Sequence, residues 1–469
     1  MLVYDYLASP AIVSLAPAGC EKIYVGKQAG AHTLSQDEIT SLIVRLGREG
    51  KRVVRLKGGD VFVFARGGEE AAALHAAGVP FEIVPGITSA TAAPAYAGIP
   101  ITHRDHNTSF TIATGHEDPA KTASSLDFAK LANPSQTLVF LMAMGNLEGI
   151  VASLRANGMP PDLPVAIVRE GTKPQQQTLV STLEGIVAEV RRVQFSAPAI
   201  VVIGNVVNER NALRWFDTGP LFGKRVLVTR AQGAAGEFAE RLWEIGAEPV
   251  IVPTIEIGPP DDPAPARAAT RSLGSYDWVV FSSQNGVEKC FDLLAEEGAD
   301  ARRFGAARIV AIGPKTAERL LGFGIRSDFV PEEHVGEEVA AGLVERTRPG
   351  DRVLLFGAQA MRDTLPEGLR AAGRTVECVA AYATRLVRDR AIAEAAAATD
   401  VWTFTSASTV RGFVANVPDA ARLARTKLVA CIGPVTAAAA REEGFVPDVV
   451  AAEYTVDGLL DALTLAVAP

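Results

Sequence analysis

The chain is poor in residues that build cross-links and metal centres, with four cysteines and six histidines among 469 residues. Cys20, Cys290, Cys378 and Cys431 are scattered, with no CxxC pair and no zinc spacing, so no metal site is expected. They read as buried thiols in a reducing compartment. Long apolar runs are also missing. A membrane helix needs about 18 apolar residues, whereas the longest run here, 137–144, stops at Gly145-Asn146. The opening MLVYDYLASP carries Asp5 and no basic segment, which argues against a secretory leader. No GxGxxG follows a first strand and no GxxxxGK[ST] occurs, so dinucleotide and P-loop readings fall. The net charge of −8 disfavours a nucleic-acid partner. These absences leave a cytoplasmic protein with no membrane partner.

What is present is an ordinary globular composition, 48% hydrophobic and 21% charged, in a chain too long for one core. Short β-rich runs alternate with Ala/Leu/Glu-rich helical stretches, an α/β pattern with largely parallel sheets. WFDTGPLFGK, 215–224, precedes the fresh strand-like run 225–230. The main boundary is placed there: a first domain 1–215, a linker 216–223 and a second domain 224–469. A weaker seam near 105–109 divides the first domain into lobes of about 1–108 and 109–215.

The second half repeats itself. DWVVFSS (277–283) answers DVWTFTS (400–406), and IVAIGPKTA (309–317) answers LVACIGPVTA (428–437). GIRSDFVP (324–331) and GEEVAAGL (336–343) answer GFVPDVV (444–450) and VDGLLDAL (456–463). Matched elements in one order imply duplicated α/β lobes about a cleft, a favoured place for a ligand.

In the first half, RLKGGDVFVFARGGEE (55–70) and VPGITSATAAPAYAGIPITHRD (84–105) each follow a strand-like run, 53–56 and 81–84. Each run breaks into glycine and small residues, as at the carboxyl ends of strands, where α/β sheets bind ligands. Gly58-Gly59-Asp60 lets a ligand approach the backbone, or it is a tight turn with Asp60 as a helix cap. In the second half Ser282, Ser283, Thr316, Thr405, Ser406, Ser408 and Thr436 recur near strand ends. Hydroxyls at helix N-termini suit carboxylates; ordinary capping is the alternative.

YDYL (4–7), YVGK (24–27), LKGGD (56–60), VPGIT (84–88), TLVFLM (137–142), REGT (169–172) and SAPAIVVIG (196–204) occur in one order over about 1–215. The set resembles uroporphyrinogen-III C-methyltransferases of the tetrapyrrole methylase class. The resemblance implies S-adenosyl-L-methionine bound between two α/β lobes by Gly58, Gly59, Asp60, Val63, Thr88, Ser89, Met142 and Gly171. It further implies Asp5 as proton acceptor and Lys27 as proton donor. The alternatives are a strand-end Asp5 and a snorkelling Lys27. Arg55, Arg66 and Arg104, with Lys57, are candidates to neutralise substrate carboxylates. The family's first strand and GAGPGD-type loop would precede YDYL. Their absence leaves, as an alternative, a front half that is a dimerisation or tetrapyrrole-holding module. The family implies a homodimer through this domain.

RVLVTRA (225–231), VVFSSQNGV (279–287), AIGPKTA (311–317), AAYAT (380–384), FTSASTVRGF (404–413) and CIGPVTA (431–437) resemble uroporphyrinogen-III synthases over about 223–466. That resemblance implies interleaved lobes, about 224–253 plus 386–469 and about 258–382. It implies cyclisation of hydroxymethylbilane, with Tyr382 as the notable tyrosine and Ser283, Thr316, Ser406 and Thr436 toward the cleft. Tyr382 reads equally as a core tyrosine. The expectation is a bifunctional enzyme feeding siroheme or cobalamin synthesis, its back half making uroporphyrinogen III and its front half methylating it to precorrin-2.

Overall fold

The structure is a computed structural model; it describes residues 1–17, 19–26, 34–115, 126–331, 336–361 and 363–468. The chain separates into two compact units, Met1–Lys224 with Trp243–Glu248, and Arg225–Leu242 with Pro249–Pro469.

In the first unit, β1 (Leu2–Tyr4), β2 (Lys22–Tyr24) and β3 (Val54–Leu56) form a parallel sheet in the order β2-β1-β3. Helix Gln36–Arg48 covers it with Ile39, Ile43 and Leu46 against Val3 and Val25. Its start is written locally, as a capping box in which Ser35 and Glu38 each accept the other's backbone N–H.

The second strand-like run does not become a strand. Residues 81–87 carry no ladder, and Val84 and Ile87 are each 77% exposed. A lone extended segment needs a neighbouring strand to pair with, and among the described residues none lies beside it. The expectation of two adjacent strand ends is corrected accordingly.

A second sheet follows, with β4 (Phe110–Thr114), β5 (Thr137–Leu141), β6 (Pro164–Arg169), β7 (Gln177–Thr182) and β8 (Ala199–Ile203) in the order β4-β5-β8-β6-β7. Only β4–β5 is parallel; β5–β8, β8–β6 and β6–β7 are antiparallel. The expected largely parallel sheet is therefore wrong for this lobe. Connectivity dictates one of these pairs: β6 and β7 are joined by a short turn, which permits only an antiparallel pair. Apolar side chains cover both faces, so β5 reads as an unbroken apolar run. Leu138 and Phe140 meet helix Leu147–Ala156 on one face, while Val139 and Leu141 meet Ala90, Ala93 and Ala97 on the other.

Residues 216–223 are packed: Phe216 and Leu221 are buried, and Tyr96, Trp215, Phe216 and Phe222 form a chain of ring contacts.

In the second unit, β9 (Arg225–Val228), β10 (Glu248–Ile251), β11 (Ile255–Gly258), β12 (Trp278–Phe281), β13 (Arg308–Ala311), β14 (Arg352–Ala358), β15 (Thr375–Leu386), β16 (Val401–Phe404), β17 (Leu428–Cys431) and β18 (Val449–Val450) form two sheets. Their orders are β10-β9-β16-β17-β18 and β11-β15-β14-β12-β13. The equivalent strands β12 and β16 lie in the interior of their sheets, each with its parallel neighbour, β13 or β17. The chain crosses between sheets at Thr254 and Val387, and these crossings touch: the Val387 N–H donates to Thr254 O at 3.0 Å, and Thr254 Oγ1 donates to Thr409 O at 3.0 Å.

Cys290 and Cys431 are buried thiols, pushed up to about 12 by desolvation. Cys378 is exposed and Cys20 half-buried, so uniform thiol burial was wrong; Cys378 lies on the Cys-Val-Ala stretch of β15, where alternate side chains leave the core.

Candidate active sites

Three loops converge at the carboxyl end of the first sheet. The chain leaves β1 through Asp5, Tyr6 and Leu7, and leaves β3 through Lys57, Gly58, Gly59 and Asp60. The extended segment 81–87 runs into helix Ser89–Tyr96. Their approach is close enough to require glycine. A Cβ at Gly86 would stand 2.2 Å from Gly59 O, and one at Gly58 would stand 2.8 Å from Leu7 Cβ. Asp60 locks two of the loops together: its Oδ2 accepts the Gly86 N–H at 3.0 Å and its Oδ1 the Phe62 N–H at 2.8 Å. Those donors, Gly86 first, hold its carboxyl below the usual range. Asp60 is thus no helix cap; the helix Gly67–Ala76 begins beyond it.

Thr88 caps helix Ser89–Tyr96 by accepting the Ala90 N–H at 3.3 Å, and Ser89 is exposed beside it. The same helix carries the site into the second lobe, because a Cβ on Gly171 would meet Ala93 Cβ at 2.5 Å. Met142 follows β5 with φ +54° and is 51% exposed. Phe64, Arg66, Glu170 and Thr172 also have positive φ. Val63 is half-buried in the turn after Asp60. Tyr6, Leu7, Phe62, Val84 and Ile87 are exposed around these loops. Glycine-lined backbone, a carboxylate on Asp60 with acceptor capacity beyond its two N–H partners and apolar rims fit a nucleoside with a sulfonium tail.

Asp5 is fixed by Arg55, whose Nη2 lies 3.0 Å from Asp5 Oδ2, and by the Leu7 N–H at 3.2 Å from Oδ1. Arg55 also meets Glu70 at 3.5 Å, and Lys57 Nζ meets the same Glu70 oxygen at 3.1 Å. Gln36 Nε2 donates to it at 2.9 Å. Two cations and two carboxylates thus form a closed network in which Glu70 is 4% exposed. Sequence reasoning missed Glu70 altogether. The signal was available: Arg55 and Lys57, two apart at a strand end, point the same way and need a common counter-charge. Arg66 pairs with Glu69 at 2.6 Å in solvent, and Arg104 is exposed. Lys27 lies outside the described residues.

The second unit joins two of its predicted residues. Ser283 Oγ and the Tyr382 hydroxyl lie 2.9 Å apart, with Tyr382 only 6% exposed. Ser283 follows β12 and caps helix Gln284–Glu296, accepting the Gly286 N–H at 3.2 Å. Ser406, its counterpart after β16, caps helix Ala407–Val414 through the Thr409 N–H at 3.2 Å. Thr316 and Thr436 are buried in the first turns of helices Pro314–Gly322 and Pro434–Glu442. Each lobe therefore aims two helix N-termini from the carboxyl ends of two adjacent parallel strands, β12 and β13 or β16 and β17, an arrangement suited to carboxylates. A cavity of about 230 Å³ lined by Val280, Leu355, Met361 and Leu365 lies within one lobe; its apolar walls do not suit a polycarboxylate.

Comparison with known proteins gives each unit a family. Tetrapyrrole (corrin/porphyrin) methylases match residues 2–187, and uroporphyrinogen-III synthase HemD matches 236–461. A Ruminiclostridium josui protein named "Porphyrin biosynthesis protein HemD" is 38% identical over 99% of this chain and 92% of its own length. An "S-adenosyl-L-methionine-dependent uroporphyrinogen III methyltransferase" of Methanosarcina barkeri is 48% identical over 47% of this chain and 86% of its own. A uroporphyrin-III C-methyl transferase of Thermus thermophilus, solved with S-adenyl homocysteine, is 36% identical over 44% of this chain and 86% of its own, with a TM-score of 0.38.

Proposed function

The chain belongs to the family of the fused porphyrin-biosynthesis protein HemD, in which a tetrapyrrole methylase and a uroporphyrinogen-III synthase share one polypeptide, and from that premise we propose how its residues divide the work. It is a bifunctional tetrapyrrole-biosynthesis enzyme. Residues 224–469 cyclise hydroxymethylbilane to uroporphyrinogen III, and residues 1–215 methylate that product to precorrin-2. The observation that carries this reading is the joint occurrence of both families along one chain, since the product of one is the substrate of the other.

S-adenosyl-L-methionine, when bound, supplies a methyl group on sulfonium that a pyrrole carbon takes by in-line displacement. Gly58, Gly59, Asp60, Val63, Thr88, Ser89, Met142 and Gly171 are the residues assigned to hold it. Alignment is the main contribution of such a site. Asp5, oriented by Arg55 and the Leu7 N–H, takes the proton that the substituted carbon must lose, and Lys27 is assigned as donor. Arg66 and Arg104 meet substrate carboxylates at the rim, where exposed guanidinium groups exchange partners readily; Arg55 acts chiefly by holding Asp5.

In the second unit Tyr382, with Ser283 as its hydrogen-bond partner, assists departure of hydroxide from the bilane. Thr316, Ser406 and Thr436, with their helix N-termini, hold side-chain carboxylates. The proposed compartment is the cytoplasm, supported by four unpaired cysteines; no helix of the described residues is long and apolar enough to cross a membrane. The proposed assembly is a homodimer through residues 1–215.

The rival reading, a tetrapyrrole-holding front half, is favoured by the unladdered, exposed segment 81–87. One experiment separates them. The full chain receives hydroxymethylbilane and S-adenosyl-L-methionine, and products are resolved by isomer and mass. Type III isomer carrying two added methyl groups supports the full reading. Type III isomer without methylation supports the holding module, and type I isomer alone refutes the synthase assignment.

A further inference from the structure

A side-chain cluster that neither proposed reaction uses has the chemistry of a metal centre. His103 and His106 stand on the turn after helix Ser89–Tyr96, and Glu209 ends the short helical turn Asn205–Glu209 that follows β8. His106 Nε2 lies 2.7 Å from Glu209 Oε1, and His103 Nε2 lies 4.0 Å from Glu209 Oε2. The imidazole rings are 4.9 Å apart at 35°. One ligand atom from each residue falls within 4.8 Å of the other two, and all three side chains are between 25% and 34% exposed.

We propose that His103, His106 and Glu209 bind a zinc-class divalent cation, held by two imidazole nitrogens and one carboxylate with a coordination position left open to water.

The spacing fits with small rotations. Ligands at about 2.0–2.2 Å from tetrahedral zinc stand roughly 3.3 Å from one another. The His106 Nε2–Glu209 Oε1 contact therefore opens by about 0.6 Å, and His103 Nε2, 4.0 Å from the other carboxylate oxygen, swings in to meet the same cation. Magnesium and calcium are disfavoured, because they require mostly oxygen ligands in larger number. Asp105 holds the His103 ring through its main chain: its backbone N–H donates to Nδ1 at 3.3 Å, while its Oδ2 stands 3.9 Å away, beyond hydrogen-bond reach.

The carriers are pinned rather than loose. Asn107, 9% exposed, accepts the His103 N–H at 2.8 Å and donates to Ile101 O at 3.0 Å, Ser109 O at 2.9 Å and Thr137 Oγ1 at 3.0 Å. Arg210, beside Glu209, is anchored on Ala97 O and Asp217. Ligands whose backbones are already fixed lose little entropy on binding a metal. The ordinary alternative is a metal-free His–Glu clasp.

The test is titration of the chelator-treated full chain with zinc chloride alone, read by equilibrium dialysis and metal analysis. One equivalent should bind the wild type. His106→Gln and Glu209→Gln should abolish it, and His75→Gln should leave it unchanged. Cobalt(II) substitution is a second readout on unmutated protein. Tetrahedral d–d bands without thiolate charge transfer support the site, whereas a thiolate band would assign the metal to cysteine and overturn it. No zinc uptake, or uptake that survives both His106→Gln and Glu209→Gln, also overturns it.

Discussion

Glu69 and Glu70 are adjacent, chemically identical and both in helix Gly67–Ala76, yet removing them should have very different consequences. Glu69 pairs with Arg66 in solvent, the two side chains 58% and 53% exposed. Such exposed pairs contribute about 0–1 kcal/mol. Glu70 is 6% exposed at its side chain and sits between Lys57 at 7% and Arg55 at 13%. Glu70→Ala leaves these two buried cations with only Asp5 as counter-charge. Breaking a buried pair from one side costs about 3–5 kcal/mol, most of it the stranded charge rather than the lost attraction. A unit of this size loses roughly 2–4 °C of Tm per kcal/mol. Glu70→Ala should therefore lower its unfolding transition by at least about 6 °C, and Glu69→Ala by about 4 °C at most. Glu70→Gln, which keeps the volume and a hydrogen-bond acceptor, should fall between. The measurement is scanning calorimetry of the full chain, with the methylase transition identified by its shift on adding S-adenosylhomocysteine. Equal small shifts for the two alanine variants would refute the inference that the Asp5–Arg55–Glu70–Lys57 network is buried and mutually dependent.

Gly86→Ala should weaken S-adenosylhomocysteine binding more than about tenfold by calorimetric titration, because its Cβ would meet Gly59 O at 2.2 Å and only backbone movement relieves that. Gly68→Ala, with no atom within 4 Å, should instead raise stability by about 0.5–1 kcal/mol; an equal loss of binding in both variants would remove the loop argument. Tyr382→Phe should slow cyclisation while leaving methylation of supplied uroporphyrinogen III unchanged, at a stability cost of about 0.5–1.5 kcal/mol. Unchanged formation of the type III isomer would return Tyr382 to a purely structural role. Burial, and then the hydrogen bond to Glu377, push the Tyr276 phenol up to about 12 from 10.0. The folded state then binds the proton more tightly, so this contribution is complete below pH 10 and is lost as pH rises from 10 toward 12. Tyr276→Phe should flatten that alkaline fall in denaturation curves, and an identical pH dependence would contradict it.

Much of the architecture was legible along the chain. Strand positions such as 137–141 and 278–281 announce themselves by apolar runs, and the duplication in the second half is a matter of matched words. The glycine at 86, within the VPGIT word, is a local signal whose local meaning the structure repeats. What escaped is what depends on a neighbour distant in sequence. Residues 81–84 have the composition of a strand and, among the described residues, no strand to pair with. The β6–β8 ladder is antiparallel although the local residues say only that both are strands.

The sequence by itself determined the two families, the glycine loop after β3 and the hydroxyl-bearing helix starts, because each is encoded in short stretches of neighbouring residues. Only the tertiary structure decided which charges are buried together and which hydroxyls touch. It set Glu70 apart from Glu69, brought Ser283 to Tyr382 across 99 residues, and gathered His103, His106 and Glu209 into one cluster. Side-chain type is local information, whereas burial and partnership depend on where the chain returns.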